Sequence, residues 1–234
     1  MMQDFLSSRL RQGVLLAFVI LCAATAGGFV PGGGPQDKVE RSEQIDLFDR
    51  GRWSWQQPSK IMDALGVELG MAVADIGAGY GYFTLGLAGL VGDKGVVYAN
   101  DIDERYLRVI EDDCRKKNIT NVVTVLGGQD DPKLPAGKLD LALMVDVMPY
   151  LADARQFLTN VRRGLKPDGV FAVVEWVSEK VNRAGKIKSS EEIKGLLEAC
   201  GYSVVKVETF LPRQNVFVCR IAPASRPTTR AGHG

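Results

Sequence analysis

Apolar runs alternate along this chain with segments whose apolar residues recur at helical spacing. Met71–Ile76 (MAVADI) reads as a buried strand, followed by a glycine-rich turn and a helix from about Phe83 to Val91. Gly95–Asn100 reads as a second strand, and Glu104–Asn118 as an amphipathic helix with Leu107, Ile110 and Cys114 on one face. Asn121–Leu126 and Leu139–Val145 are the third and fourth strands, and a helix is predicted from about Ala152 to Leu165. Lys166-Pro167-Asp168-Gly169 has the chemistry of a helix stop and turn. Val170–Glu175 is a fifth strand. Ser190–Cys200 opens with SSEE, a cap and first turn, and ends at Gly201. Tyr202–Phe210 and Asn215–Ile221 are two last strands with a short Pro-containing connection between them.

Strand–helix alternation implies α/β architecture: a doubly wound, mostly parallel seven-stranded sheet with helices on both faces. The last two strands have no helix between them and should form an antiparallel hairpin at the C-terminal edge. Such sheets bind ligands at the carboxyl ends of their strands, near the point where strand order reverses.

The N-terminus differs from this pattern. Arg9 and Arg11 precede an uncharged run, residues 13–30, whose apolar part is Val14 to Ala24. Ala24-Thr25-Ala26 gives the small-x-small pattern of a cleavage site. Residues 1–26 therefore read as a signal peptide or an N-terminal membrane anchor, and membrane association would run through residues 13–30. The competing reading is a buried N-terminal helix, and the Gly/Pro-rich segment 27–44 argues against it, because as a flexible linker it separates that stretch from the core. Residues 45–222 make one domain, and 223–234 a disordered tail.

Composition narrows the function. The chain has 234 residues, 46% of them hydrophobic and 24% charged, enough for one sizeable core and unlike a disordered chain. A net charge of +1 is far from the basic excess of a nucleic-acid-coating protein, so no nucleic-acid partner is expected. The sole histidine, His233, lies in the tail, which argues against His-dependent catalysis or a His-rich metal site. Four scattered cysteines (Cys22, Cys114, Cys200, Cys219) form neither a disulfide framework nor a zinc site.

The chemistry is concentrated in Asp75-Ile-Gly77-Ala-Gly79-Tyr-Gly81-Tyr-Phe-Thr84, where a strand becomes a helix. Glycines there permit positive φ and close approach of a ligand to backbone amides. A glycine-rich turn alone is weak evidence. Asp101, however, ends the second strand about 20 residues after Gly81, where a ribose hydroxyl pair would lie. Dinucleotide sites use GxGxxG; here the third glycine comes one residue early, and Tyr82 stands in its place. A cofactor without a pyrophosphate does not need that third close approach.

At these residues the sequence resembles the class I S-adenosylmethionine-dependent methyltransferases. VADIGAGYGYFT is similar to their first motif and VYANDID to the second-strand motif. Gly127–Pro135 resembles the adenine-side loop, LDLALMVDV the fourth-strand motif, and Leu165–Gly169 the turn before strand five. EEIKGLLEACGY resembles the penultimate helix, and WQQP (Trp55–Pro58) with KIMDALGV resembles a leading helix that covers one side of the cofactor. The resemblance implies a Rossmann-like methyltransferase fold with S-adenosyl-L-methionine as co-substrate and a small-molecule methyl acceptor.

By the same resemblance, Gly77, Gly79 and Gly81 line the methionine portion of the cofactor. Asp75 holds the turn and reaches the amino group. Asp101 accepts the ribose hydroxyls, with Ile102 beside it and Asp103 as competitor. Asp130 meets the adenine amino group, with Gln129 or Asp131 as alternatives because the loop is longer than the common form. Asp146, just past strand four, and Tyr150 are the candidate catalytic residues, facing the acceptor. Met148-Pro149-Tyr150 departs from the family's usual sequences here, which leaves the acceptor open, and Tyr80 is bulky where a small residue is common. Lys180–Lys188 could attract an anionic substrate but reads better as a solvated basic loop. Two other readings remain at this level: a noncatalytic module binding S-adenosylmethionine or S-adenosylhomocysteine, and a nicotinamide-dependent oxidoreductase.

Overall fold

The structure, a computed structural model, describes residues 51–181 and 187–223. The leader at 1–26, the linker at 27–44 and the tail from residue 224 lie outside the described residues. Among those described, no helix is long and apolar enough to cross a membrane.

Residues 51–56 are helical and lead into α1 (Pro58–Ala64). The chain continues through β1 (Ala72–Ile76), α2 (Thr84–Val91), β2 (Val96–Asp101), α3 (Glu104–Lys117), β3 (Val122–Leu126) and β4 (Leu139–Val145). A short 3-10 turn (Met148–Tyr150) precedes α4 (Ala154–Gly164), β5 (Leu165–Trp176), α5 (Ser190–Ala199), β6 (Tyr202–Glu208) and β7 (Gln214–Ile221). The sequence pattern anticipated every one of these strands and every helix from α2 to α5; the 3-10 turn it did not. Helix starts follow from local chemistry. Asp103 caps α3 by accepting the Arg105 N–H, and Asp153 caps α4 by accepting that of Gln156. Ser189 and Glu192 close a reciprocal capping box on α5.

The seven strands lie in the order β3-β2-β1-β4-β5-β7-β6. The first five are parallel, and β7 pairs antiparallel with both β5 and β6. Strand order reverses between β1 and β4, which places a crevice at their carboxyl ends. Successive residues of the central strands enter opposite cores. Ala74 and Ile76 join Phe157, Leu158 and Ile193 of α4 and α5; Val73, Leu141 and Leu143 join Ile61, Leu87 and Val91 of α1 and α2. Burial on both faces is why these strands read as continuous apolar runs.

Two local expectations are corrected. Lys166–Gly169 is not a free turn before the fifth strand. β5 already pairs at Leu165 with Leu139, then the register jumps to Leu141↔Val170, so Lys166–Gly169 bulges out of a continuing strand. A Cβ on Gly169 would stand 2.8 Å from the Leu139 carbonyl oxygen, which restricts the bulge to glycine. Lys180 is not a solvated charge either. Its ammonium donates to the carbonyls of Thr209 and Leu211 at 2.7 Å and of Gln214 at 3.0 Å, tying down the β6–β7 connection.

Candidate active site

The turn after β1 is built by its glycines. Gly77, Gly79 and Gly81 all have positive φ (70°, 53° and 84°). At Gly77 space is as restrictive as φ, because a Cβ would sit 2.3 Å from Val147 Cγ2. A Cβ at Gly79 would meet nothing within 4 Å, so this backbone faces open space where a ligand has room.

The turn is stitched to the end of β2. The Gly79 N–H donates to Asp101 Oδ2 at 2.9 Å, and the Ala78 N–H to the Asn100 carbonyl at 2.9 Å. Asp101 Oδ1 accepts the Asp103 N–H at 3.0 Å. Asp101 is thus held in place at 8% exposure, yet each carboxylate oxygen keeps acceptor capacity. Asp103 is committed elsewhere: both its oxygens accept from Arg105 as it caps α3. Ile102, at 56% exposure, borders the same crevice end.

Asp75 points inward. It is 2% exposed, and its Oδ2 accepts the Thr84 hydroxyl at 2.7 Å. Burial pushes its carboxyl up to about 6, against the opposing pull of the Thr84 hydrogen bond and the Arg52 charge. In the loop after β3, Gln129 and Asp130 are exposed. The Asp130 carbonyl is held by Asn160 Nδ2 at 2.7 Å, and Asp131 Oδ1 accepts the Lys133 N–H at 2.8 Å. Asn100 Nδ2 anchors the loop's far end through the Pro132 carbonyl at 2.8 Å.

Across the crevice, Asp146 follows β4 with φ of 59°, unusual for a non-glycine residue. Its carboxylate is ringed by donors from distant segments: Arg52 at 3.3 Å, Gln56 Nε2 at 3.4 Å, Gln214 Nε2 at 2.5 Å, and the Trp176 side chain. Desolvation raises it to about 6, and the Arg52 charge and the hydrogen bonds oppose that rise. The Arg52 guanidinium also lies over the Tyr82 ring, 4.6 Å from its centroid. Beside Asp146, Glu175 is 3% exposed and accepts the Met148 N–H at 2.8 Å. Its carboxyl is pushed up to about 8, first by burial and then by the Asp146 charge. Tyr150 stands at the surface, 74% exposed, on the 3-10 turn of the same loop.

The structure therefore gathers Asp75, Gly77, Gly79, Gly81, Asp101 and Asp146 at the carboxyl ends of β1, β2 and β4. It leaves Ile102, Gln129, Asp130 and Tyr150 on more open surface nearby. Sequence reasoning missed Thr84, Arg52, Gln56, Gln214 and Glu175. Only Glu175 carried a signal, as the single charge in the apolar run Val170–Trp176.

Residues 73–169 match the family described as a methyltransferase domain. The ubiquinone/menaquinone biosynthesis C-methyltransferase UbiE of Shewanella sp. (strain W3-18-1) is 31% identical over 116 residues, which are 49% of this chain and 46% of that protein. The protein of the same name from Shewanella frigidimarina is 30% identical over 128 residues, 54% of this chain and 51% of its own length. The chain thus spans about half the length of the curated relatives it matches. A SAM dependent methyltransferase from Aquifex aeolicus superimposes with a TM-score of 0.70 at 26% identity, over 77% of this chain and 98% of that one. The fold, the motif order and these likenesses are those of the class I S-adenosylmethionine-dependent methyltransferases. S-adenosyl-L-methionine is the co-substrate of that class.

Asp75 sets a pH dependence. Its carboxyl titrates at about 6 when folded and near 4 when unfolded. Between those values the folded state holds the extra proton, so its contribution is full below about pH 4 and lost as pH rises through 6. Asp75→Asn keeps an acceptor for Thr84 and removes the charge. Urea unfolding should show this variant gaining on the wild type by up to about 3 kcal/mol between pH 4 and pH 7. A constant difference across that range contradicts the burial assigned to Asp75.

Proposed function

We propose that this protein transfers a methyl group from S-adenosylmethionine to a small-molecule acceptor bound between the ends of β4 and β5 and the helical segment 51–56. The observation that carries the reading is Asp101, nearly buried and held by the N–H groups of Gly79 and Asp103 beside the open space at Gly79. A carboxylate so fixed is a preorganised acceptor for a pair of ribose hydroxyls. Gly77, Gly79 and Gly81 would line the methionine end, and Asp75 would support that turn through Thr84. Ile102 would flank the adenosine, with Gln129 or Asp130 at the adenine edge.

Transfer is an in-line displacement. The acceptor's electron pair forms the bond to the methyl carbon, the carbon–sulfur bond breaks, and its electrons return to sulfur as a neutral thioether. The protein's task is alignment in a water-poor site. An acceptor that loses a proton on methylation would give it to Asp146, whose carboxyl at about 6 is ionised at neutral pH and still basic enough to take part. Tyr150 would contact the outer part of the acceptor. The curated relatives are named as carbon methyltransferases of quinone biosynthesis, which supports a small organic acceptor as the class to screen first. Residues 45–222 would constitute the catalytic domain, with 1–26 directing export or anchoring it.

Thermal unfolding of the full chain tests the cofactor. S-adenosylhomocysteine at about 100 times its dissociation constant should add about 2.7 kcal/mol, and NAD should add nothing. Asp101→Ala should lose about 1.5–3 kcal/mol of that affinity in calorimetry. Unchanged binding removes Asp101 from the site, and stabilisation by NAD alone overturns the methyl-transfer reading. Intact mass after expression tests the leader. Loss of residues 1–26 indicates cleavage, their retention in a membrane fraction an anchor, and their retention in the soluble fraction neither.

A further inference from the structure

We infer that Glu175 is the positioning residue of the acceptor side: its carboxyl holds the backbone that follows β4 and thereby fixes both the bend at Asp146 and the seat of Val147 on Gly77. This rests on Asp146 being the acceptor-side carboxylate.

The geometry accumulates along one short stretch. β4 stays in register with β5 as far as Asp146, whose N–H donates to the Val174 carbonyl at 3.0 Å. The chain then leaves the sheet through a left-handed residue. Left-handed φ is unfavourable for a side chain with a Cβ and persists only when its surroundings hold it. Those surroundings are supplied by Glu175, the neighbouring residue on β5. Its Oε1 accepts the Met148 N–H at 2.8 Å, and the N–H groups of Val147 and Trp176 also bond to its carboxyl. These donors lie in a buried region and need an acceptor. No carbonyl takes that part for Met148, because the chain has already departed from the sheet.

Val147 carries the effect further. Its Cγ2 occupies the space that a Cβ at residue 77 would need. A loop displaced at Val147 therefore disturbs the cofactor turn as well as Asp146. Glu175 itself is closed off by these donors, so it acts through its neighbours. The titratable and charged groups facing Asp146 are the Arg52 guanidinium, from the segment 51–56, and the Glu175 carboxyl, from β5, which at about 8 is mostly protonated where Asp146 titrates; Gln56, Gln214 and Trp176 face it uncharged.

A positioning role needs an acceptor oxygen and not a charge, and that distinguishes the variants. Glu175→Gln keeps a carbonyl oxygen. Glu175→Ala removes it, and Glu175→Leu removes it while filling the space, which covers the case of an alanine variant that does not fold. Tyr202→Phe, which deletes a buried hydrogen bond to the Leu158 carbonyl on the far side of the core, controls for lost stability alone.

Carboxyl 13C NMR would follow the titration of Asp146, assigned by Asp146→Asn, and calorimetry would follow S-adenosylhomocysteine binding. Glu175→Gln should titrate Asp146 near 6, as in the wild type. Glu175→Ala or Glu175→Leu should move that midpoint down toward the ordinary carboxyl range as water reaches the relaxed bend, and weaken binding about tenfold. Tyr202→Phe should lower the melting temperature and change neither. The inference fails if Glu175→Ala or Glu175→Leu lowers only the melting temperature. It also fails if Glu175→Gln behaves like the alanine variant, since a retained acceptor oxygen would then not be what holds the loop. A wild type that does not bind S-adenosylhomocysteine would overturn the cofactor reading, while the Asp146 titration would still decide the role of Glu175.

Discussion

No Cβ fits at residue 77, and much of the site depends on that. Strand order reverses between β1 and β4, so the chains leaving these two parallel strands must separate while remaining close at their first residues. Val147 fills the room that a side chain at position 77 would claim. With glycine there, the turn after β1 can bend toward β2, hand the Gly79 N–H to Asp101 and leave its own outer surface open. The same contact brings the loop after β4 to the crevice with Asp146 at its head.

Around this joint the protein gathers carboxyl groups in surroundings that disfavour their charge. Asp75, Asp146 and Glu175 are all raised by burial, and Arg52 opposes the rise at the first two. Arg52 spreads its guanidinium over Tyr82 while reaching Asp146, so one side chain from the leading segment both covers the crevice and balances its charge. Such an arrangement suits a reaction in which the methyl group is already activated. What remains for the protein is to exclude water, align the two reactants and receive a proton where the acceptor has one to lose.

The sheet was legible in the sequence because its strands are buried on both faces and its helices on one, so the two periodicities stand apart. The placement of Asp101 and the glycines was legible for a similar reason: spacing in the chain maps directly onto one strand–helix–strand unit. The surroundings of Asp146 were not. Arg52 and Gln56, Glu175, and Gln214 come from three separate segments, and only the order β4-β5-β7 brings the last two residues beside it. A glutamine such as Gln214 looks like loop chemistry until the fold buries it. Lys180 misled for the same reason, since its three carbonyl partners lie about 30 residues further on in the chain. The bulge at Lys166–Gly169 was hidden because Pro-Asp-Gly has the same composition whether it ends a helix or interrupts a strand.

As proposed, the crevice at the β1–β4 reversal holds an S-adenosyl nucleotide with Asp101 at one end and Asp146 at the other. A crystal structure of the full chain with S-adenosylhomocysteine tests it most directly. The account predicts both ribose hydroxyls within hydrogen-bonding distance of the Asp101 carboxylate, the homocysteine along Gly77–Gly81, and the sulfur turned toward the loop that carries Asp146. A nucleoside bound elsewhere, or one seated here with Asp101 turned away from the ribose, would contradict it.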